Sequence, residues 1–346
     1  MRGEFDFIET LRRRTERQAK AGNVSLGIGD DAAVVNSKNT SLVITADLLV
    51  EEIDFRLDWT TPQFLGHKAL AVSLSDIAAM GARPRFALLS LGVPQKIWRT
   101  KFVDQFYEGF FRLARDHSVA LIGGDTSRTP DRIVIDSIVL GEAQHNRVTR
   151  RSGAKPGDLI YVTGMLGGAA AGLRLLQSGK KIKIRTRSNG ASRTTKLSAQ
   201  EKLLRRQLLP SPRVRWGRLL GEKNLATAMI DLSDGLSSDL AHLCRASGVG
   251  AVVDASLIPV DSSISVAPLK EISALDLALH GGEDYELLFT VRPRKRALLP
   301  QKLGGINATL IGEITSSKRI EIVREGHTRA LKPEGFQHFR RALPRK

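Results

Sequence analysis

The residues of this 346-residue chain best equipped for chemistry are carboxylates at turns, strand ends and helix entrances: Asp30, Asp31, Asp47, Asp76, Asp125, Asp231, Asp234, Glu283 and Asp284. The tightest set lies in Leu26-Gly27-Ile28-Gly29-Asp30-Asp31-Ala32-Ala33, two adjacent acids between a glycine pair and a small apolar run. Adjacent carboxylates repel unless water or a cation neutralises them, so the pair is a solvated turn or a metal seat. If the other acids converge on it, their repulsion requires several hard cations. Oxygen donors without a Cys or His cluster suit Mg²⁺ or Mn²⁺ rather than zinc. Mg²⁺ usually arrives bridging phosphates, which makes metal-dependent phosphoryl transfer or ATP-driven chemistry the leading class.

The common nucleotide motifs are missing. No G-x-x-x-x-G-K-[ST] occurs, nor the H-R-D and D-F-G pair of protein kinases. Gly27-Ile28-Gly29-Asp30-Asp31-Ala32 nominally fits G-x-G-x-x-[GA], but its carboxylates would face an unneutralised pyrophosphate where that fold cradles it.

The elements that position these acids follow from pattern. Ser41 to Asp47 reads as a strand ending in a carboxylate at a turn. Thr61-Pro62 starts a helix that carries Asp76 among Leu74, Ile77, Ala78 and Ala79 and stops at Gly81 and Pro84. A strand over Arg85 to Val93 and a helix over Phe102 to Arg115 follow. A strand over Val119 to Ile122 then empties into a glycine-acid turn at Gly123 to Ser127. Gly164 to Gly168 opens an alanine-rich helix, read as close packing for want of a charged partner, and Pro210 starts another through Trp216. Asp231, Asp234 and Asp239 crowd one helix entrance, where capping needs only one acid. Ile311 to Ile314 reads as the final strand.

Length sets a prior of about two domains, with the boundary placed at 150/151. The chain carries 53 basic and 36 acidic residues, a net charge of +17. The densest basic run, Lys180 to Lys196 within an insertion over about 180–200, has seven Lys or Arg and no acid, and reads as a solvated insertion. No aromatics interleave there to stack bases, and the paired acids elsewhere would repel a phosphate backbone, so nucleic acid is a disfavoured partner. The single cysteine, Cys244, excludes an internal disulfide framework, and no signal peptide or membrane span is legible. A cytoplasmic enzyme is expected.

Taken together, Gly3 to Phe5, Gly27 to Val35, Thr45 to Asp47, Leu74 to Arg83, Ile122 to Thr126, Arg151 to Gly157, Ile230 to Leu236 and Gly281 to Leu287 resemble the thiamine-monophosphate kinase family in order and spacing. That family shares a superfamily with aminoimidazole ribonucleotide synthetase, selenophosphate synthetase and a hydrogenase-maturation protein. The resemblance implies a two-domain PurM-like fold: an α/β N-terminal half that binds metal and ATP and pairs with its twin in a homodimer, and an α+β C-terminal half. It implies that Asp31, Thr45, Asp47, Asp76, Asp125, Asp231 and Asp234 match metal-site positions, with Asp30 in support and Ala46 offering its carbonyl. Tyr107, Gly124, Arg151 and Ser233 match nucleotide-contacting positions, and Asp231, Asp234 and Arg151 those nearest the transfer. Glu283 and Phe336 match the thiamine side, as does Asp54, where relatives usually carry a histidine.

The implied reaction converts ATP and thiamine monophosphate into ADP and thiamine diphosphate by direct in-line transfer, with several Mg²⁺ per site. A phosphate monoester, with a second pKa of about 6, is already an anionic nucleophile, so no general base is required. Selenophosphate synthetase and the maturation protein work through reactive cysteines near a terminus, whereas Cys244 lies mid-helix. Aminoimidazole ribonucleotide synthetase is the nearer rival; Ile28 to Asp31 and Gly281 to Asp284 favour the thiamine branch.

Overall fold

The computed structural model describes residues 8–10, 12, 13, 15, 24–37, 39–182, 197–267, 269 and 273–336. The motif at Gly3 to Phe5, most of the basic run and the basic tail lie outside the described residues. Near the N-terminus, Ile8 to Thr10, Arg12, Arg13 and Thr15 are helical.

Two sheets sandwich one central helix. The first sheet comprises β1 (Val24–Leu26), β2 (Ala33–Asn36), β3 (Thr40–Val50), β4 (Arg83–Pro94), β5 (Ala120–Thr129) and β6 (Val134–Gln144), in the order β1-β2-β3-β6-β4-β5. All its pairs are antiparallel except β4 with β5. The helices that accompany it are α1 (Pro62–Ala79), the short α2 (Gln95–Trp98) and α3 (Phe102–His117).

The second sheet holds β7 (Leu159–Thr163), β8 (Ala226–Asp231), β9 (Gly250–Asp254), β10 (Leu287–Val291), β11 (Lys302–Leu303), β12 (Ile306–Thr315), β13 (Ile320–Arg324) and β14 (His327–Ala330). Its order is β14-β13-β9-β12-β7-β10-β8, with β11 on β12. Its helices are α4 (Gly168–Gln177), α5 (Ala199–Leu208), α6 (Val214–Glu222), α7 (Leu236–Ser247) and α8 (Ala274–His280).

The central helix is α1. The Thr61 side chain accepts the Phe64 N–H and Pro62 occupies the first turn, so the start is capped as its sequence predicts. It is buried on every side because it packs against β3 and β6 on one flank, α6 and β8 on another, and α3. At the α1–α3 crossing a Cβ on Gly66 would stand 1.9 Å from the Phe106 carbonyl oxygen, and one on Gly109 1.8 Å from that of Gln63, so these backbones meet only because both positions are glycine. The core therefore runs unbroken from Val43, Leu74 and Ile77 to Trp216, Met229 and Phe289.

Several elements differ from the sequence expectation. Gly123 to Ser127 is no turn: β5 continues to Thr129 by parallel pairing with β4, with a bulge at Ile122, and Gly124 passes close to the Leu89 backbone. Asp47 lies inside β3 rather than at a turn, because β6 pairs with that strand as far as Val50. β12 is followed by β13 and β14, a hairpin of two short strands of which the second, His327–Ala330, is polar and fully exposed. Helix α5 is unforeseen, since it follows the basic run directly, and the helix expected from Pro210 begins only at Val214.

Candidate active site

The end of α1, the middle of β3, the end of β8 and the loop after β1 bring their acids to one point. One carboxylate oxygen from each of Asp31, Asp76 and Asp231 lies within 4.8 Å of the other two. Thr45 Oγ1 donates a short hydrogen bond to Asp76 Oδ2, and Ser75 Oγ donates to Asp231 Oδ2 at 2.7 Å. Thr45 and Asp47 alternate along β3, so both side chains face α1. Asp31 Oδ2 and Asp47 Oδ2 are buried without a hydrogen-bond partner among the described residues.

One guanidinium faces these acids. Arg151 Nη2 donates to Asp31 Oδ1 at 2.8 Å, and the Arg151 main-chain N–H donates to both Asp30 oxygens at 3.2 and 3.1 Å. Asp30 also accepts the Asp31 N–H, so it fastens the loop to the segment entering the second sheet. Among the described residues Arg151 is the only cation in ion-pair contact with Asp30, Asp31, Asp47, Asp76 or Asp231.

The electrostatic consequence is a set of carboxyls that resist ionisation. Burial, and then the neighbouring Asp31, push Asp231 up to about 8. Burial and then Asp31 raise Asp30 to about 7, while burial and then Asp136 raise Asp47 to about 6. Asp76 is held well above the usual carboxylate range by burial and by Asp47, Asp231 and Asp31. Orphaned buried oxygens in an all-oxygen donor set with so little positive charge fit hard divalent cations.

Next to this cluster, the loop after β8 pairs with the loop before β10. The N–H groups of Glu283 and Tyr285 donate to the carbonyls of Ser233 and Leu232 at 2.8 and 2.9 Å. Asp239, in the first turn of α7, accepts the N–H groups of Asp234 and Gly235 and so holds the loop that leads from Asp231 into the helix; the N-cap itself is Gly235, with no side-chain capping bond. Phe336 is exposed, and its N–H meets the Asp234 carbonyl at 3.4 Å, which brings the end of the described chain to this loop. Glu283 has φ of +66° and ion-pairs with buried Lys68 at 2.6 Å.

Other predicted residues stand apart. Asp125 is exposed on β5 and in register with Ser90, Asp136 and Leu48, a row that faces away from α1, whereas Gly124 shares the row of Asp47. Ala46 is exposed on β3, on that same outward face. Tyr107 stacks on Phe111 with centroids 5.7 Å apart on α3. Asp54 accepts the Val50 N–H at 2.8 Å and so closes the turn after β3.

A second buried acid cluster went unforeseen. Glu286 is gripped by Arg213 through two short hydrogen bonds, by Arg206 at 3.1 Å and by the Thr163 hydroxyl at 2.7 Å. Asp284 accepts the N–H groups of Gly167 and Ala169 at 2.6 and 3.0 Å. The start of α4 thus does hold an anion, and the anion is the protein's own side chain. Lys68 had one legible signal, a lone charge within an otherwise apolar stretch of helix; Arg206 and Arg213 were lost among 53 basic residues.

The AIR synthase related protein, N-terminal domain, matches residues 29–143, and its C-terminal domain matches residues 155–325. The fold is that of this superfamily. Within it, the chain is 36% identical over 342 residues to the thiamine-monophosphate kinase of Bacillus subtilis, covering 97% of this chain and 99% of the relative. It is 39% identical over 343 residues to that of Escherichia coli K12, covering 97% and 98%. The solved structure of AaThiL complexed with AMPPCP and TMP superposes with a TM-score of 0.82 at 29% identity, covering 97% of both chains. The chain belongs to the thiamine-monophosphate kinase family, a family of kinases.

Proposed function

We propose that the protein phosphorylates thiamine monophosphate to thiamine diphosphate at the expense of ATP, in a Mg²⁺-dependent in-line transfer. The observation that carries this reading is the buried carboxylate cluster with two orphaned oxygens and one guanidinium, in a chain whose relative bears an ATP analogue together with TMP. Asp31, Asp47, Asp76, Asp231 and Asp234 would hold the divalent cations, aided by Asp30, Thr45, the Ala46 carbonyl and Asp125. Bound Mg²⁺ neutralises the charge that gathers on the transferring phosphoryl group. Tyr107, Gly124 and Ser233 would position the nucleotide, and Asp54, Glu283 and Phe336 the thiamine moiety.

A phosphate oxygen of thiamine monophosphate attacks the γ-phosphorus of ATP, the bond to the β-bridging oxygen breaks, and ADP leaves. Arg151, fixed by Asp30 and Asp31, supplies the positive charge that lets two anions approach. No protein base is needed, because the acceptor phosphate is already ionised. A Mg²⁺-dependent assay with ATP and thiamine monophosphate tests the reading. Turnover is expected for the intact chain and a loss of at least about 10³-fold for Asp31→Asn and Asp231→Asn. No thiamine diphosphate from the intact chain would sink the assignment.

The same reading makes the protein a cytoplasmic homodimer with a domain division at 150/151. Support for pairing comes from β5, an edge strand with Ile122 58% exposed, and from Leu48, 59% exposed on the same sheet. Among the described residues no helix is long and apolar enough to cross a membrane. Light scattering should give twice the chain mass, and Ile122→Asp should halve it.

A further inference from the structure

The side chain of Glu283 is held in a way that its position on the thiamine side does not by itself require. Lys68 Nζ, on α1, reaches Glu283 Oε1 at 2.6 Å, and Gln207 Nε2, on α5, donates a short hydrogen bond to Glu283 Oε2. Both donors are buried, with Lys68 4% and Gln207 5% exposed, while the Glu283 side chain keeps 28% of its surface open. A carboxylate clamped by one buried donor on each oxygen still has lone pairs facing outward. The Gln207 amide is itself half satisfied: its Oε1 is buried without a partner among the described residues. Gln207 is therefore no ligand contact itself but a buried clamp, and the open part of the anchored Glu283 carboxylate is the acceptor left for a donor.

The geometry points to Gln207 and Lys68 as specificity and positioning residues for the acceptor substrate. Lys68 and Gln207 fix the Glu283 carboxylate from the buried side, one donor on each oxygen, and its open side receives an amino group of a cationic ligand. Thiamine monophosphate offers both features, the exocyclic amine of its pyrimidine and a permanently charged thiazolium. This inference rests on the kinase reading above. It adds that selectivity for the amino group is written by α5, an element outside every motif of the family resemblance. The backbone agrees with a built site: Glu283 and Tyr285 both have positive φ, a conformation that costs free energy and is kept here by the loop pairing with Ser233 and Leu232.

The experiment compares thiamine monophosphate with its oxythiamine counterpart, in which an oxygen acceptor replaces the pyrimidine amine, using the full chain with Mg²⁺ and ATP. The intact protein should use the analogue at least about tenfold less efficiently in kcat/KM. Gln207→Met should raise the KM for thiamine monophosphate about tenfold, leave that for ATP within about twofold, and collapse the discrimination. Gln207→Asn, which withdraws the amide by one methylene, serves if the first variant does not fold. Lys68→Met should raise the same KM, and Lys68→Arg should restore it. Equal use of both substrates by the intact protein overturns the inference, as does unchanged KM and discrimination in a folded Gln207 variant. An intact protein that makes no thiamine diphosphate overturns the kinase reading and this inference with it, whereas an active kinase indifferent to the amine overturns this inference alone.

Discussion

Two buried acid clusters lie in this molecule and answer the same electrostatic problem in opposite ways. Around Glu286 each carboxylate oxygen meets a cation or a hydroxyl, and although burial alone would raise its pKa, Arg213 and then Arg206 hold it below the usual value. Around Asp31, Asp76 and Asp231 the acids meet each other, one arginine and two hydroxyls, and burial pushes Asp231 up to about 8. Fixed protein cations complete the first cluster, which joins α5, α6, β7 and the start of β10. The second is left short of positive charge, which is what a site must be if a mobile cation is to bind there.

The largest effect should come from breaking the completed cluster. Arg213→Met leaves Glu286 buried with one partner fewer and is expected to cost about 3–5 kcal/mol of stability. Urea unfolding measures it, and a loss below ~1 kcal/mol would show that the pair is not holding the two elements together. The open cluster should respond to its missing charge instead. At a concentration of about 100 times its dissociation constant, Mg²⁺ should add about 2.7 kcal/mol to the intact chain. Asp31→Asn and Asp231→Asn should lose that gain.

The same contrast fixes the pH behaviour. In chelated protein the raised carboxyls of Asp47, Asp30 and Asp231 bind more protons in the folded than in the unfolded state, where they titrate near 3.8. Stability from this cluster therefore falls as pH rises from about 4 toward 8. Metal must displace those protons, so the Mg²⁺-induced gain in Tm should be larger at pH 8 than at pH 6. Glu286, depressed, works in the other direction, and its contribution is lost as pH falls below the ordinary glutamate range. A chelated Asp231→Asn protein should be about 1 kcal/mol more stable than the intact chain at pH 8, because a buried charge is gone while an acceptor for Ser75 remains.

What could be read from the sequence follows from the range over which each interaction acts. The cap at Thr61, the apolar run of α1 and the loop at Asp30 and Asp31 are local patterns, and the structure places them as patterned, whereas Asp47 and Asp125 lie within strands. The convergence of Asp31, Asp76 and Asp231 joins residues 200 positions apart, and only the family resemblance gave reason to expect it. Local reading failed where pairing overrode composition. Glycines at 123 and 124 suggest a turn until β4 supplies a neighbour for them. The arginines of the completed cluster carry no signal at all, since a basic residue that will meet a buried acid looks like any other on a basic chain.

The smallest expected effect concerns Asp125, and it sharpens the comparison most. Its carboxylate accepts the Thr126 N–H at 2.8 Å on an exposed strand, and its row in the sheet faces away from α1. Unlike Asp231 it is solvated, so Asp125→Asn should change stability by no more than about 0.5 kcal/mol in chelator. If Asp125 joins the metal site only once nucleotide is bound, the Mg²⁺-induced rise in Tm without ATP should be the same in this variant as in the intact chain. The further rise on adding ATP should then shrink. Calorimetric melts with Mg²⁺ alone and with Mg²⁺ and ATP separate these cases. A loss of the Mg²⁺-only response would mean that Asp125 belongs to the open cluster from the start.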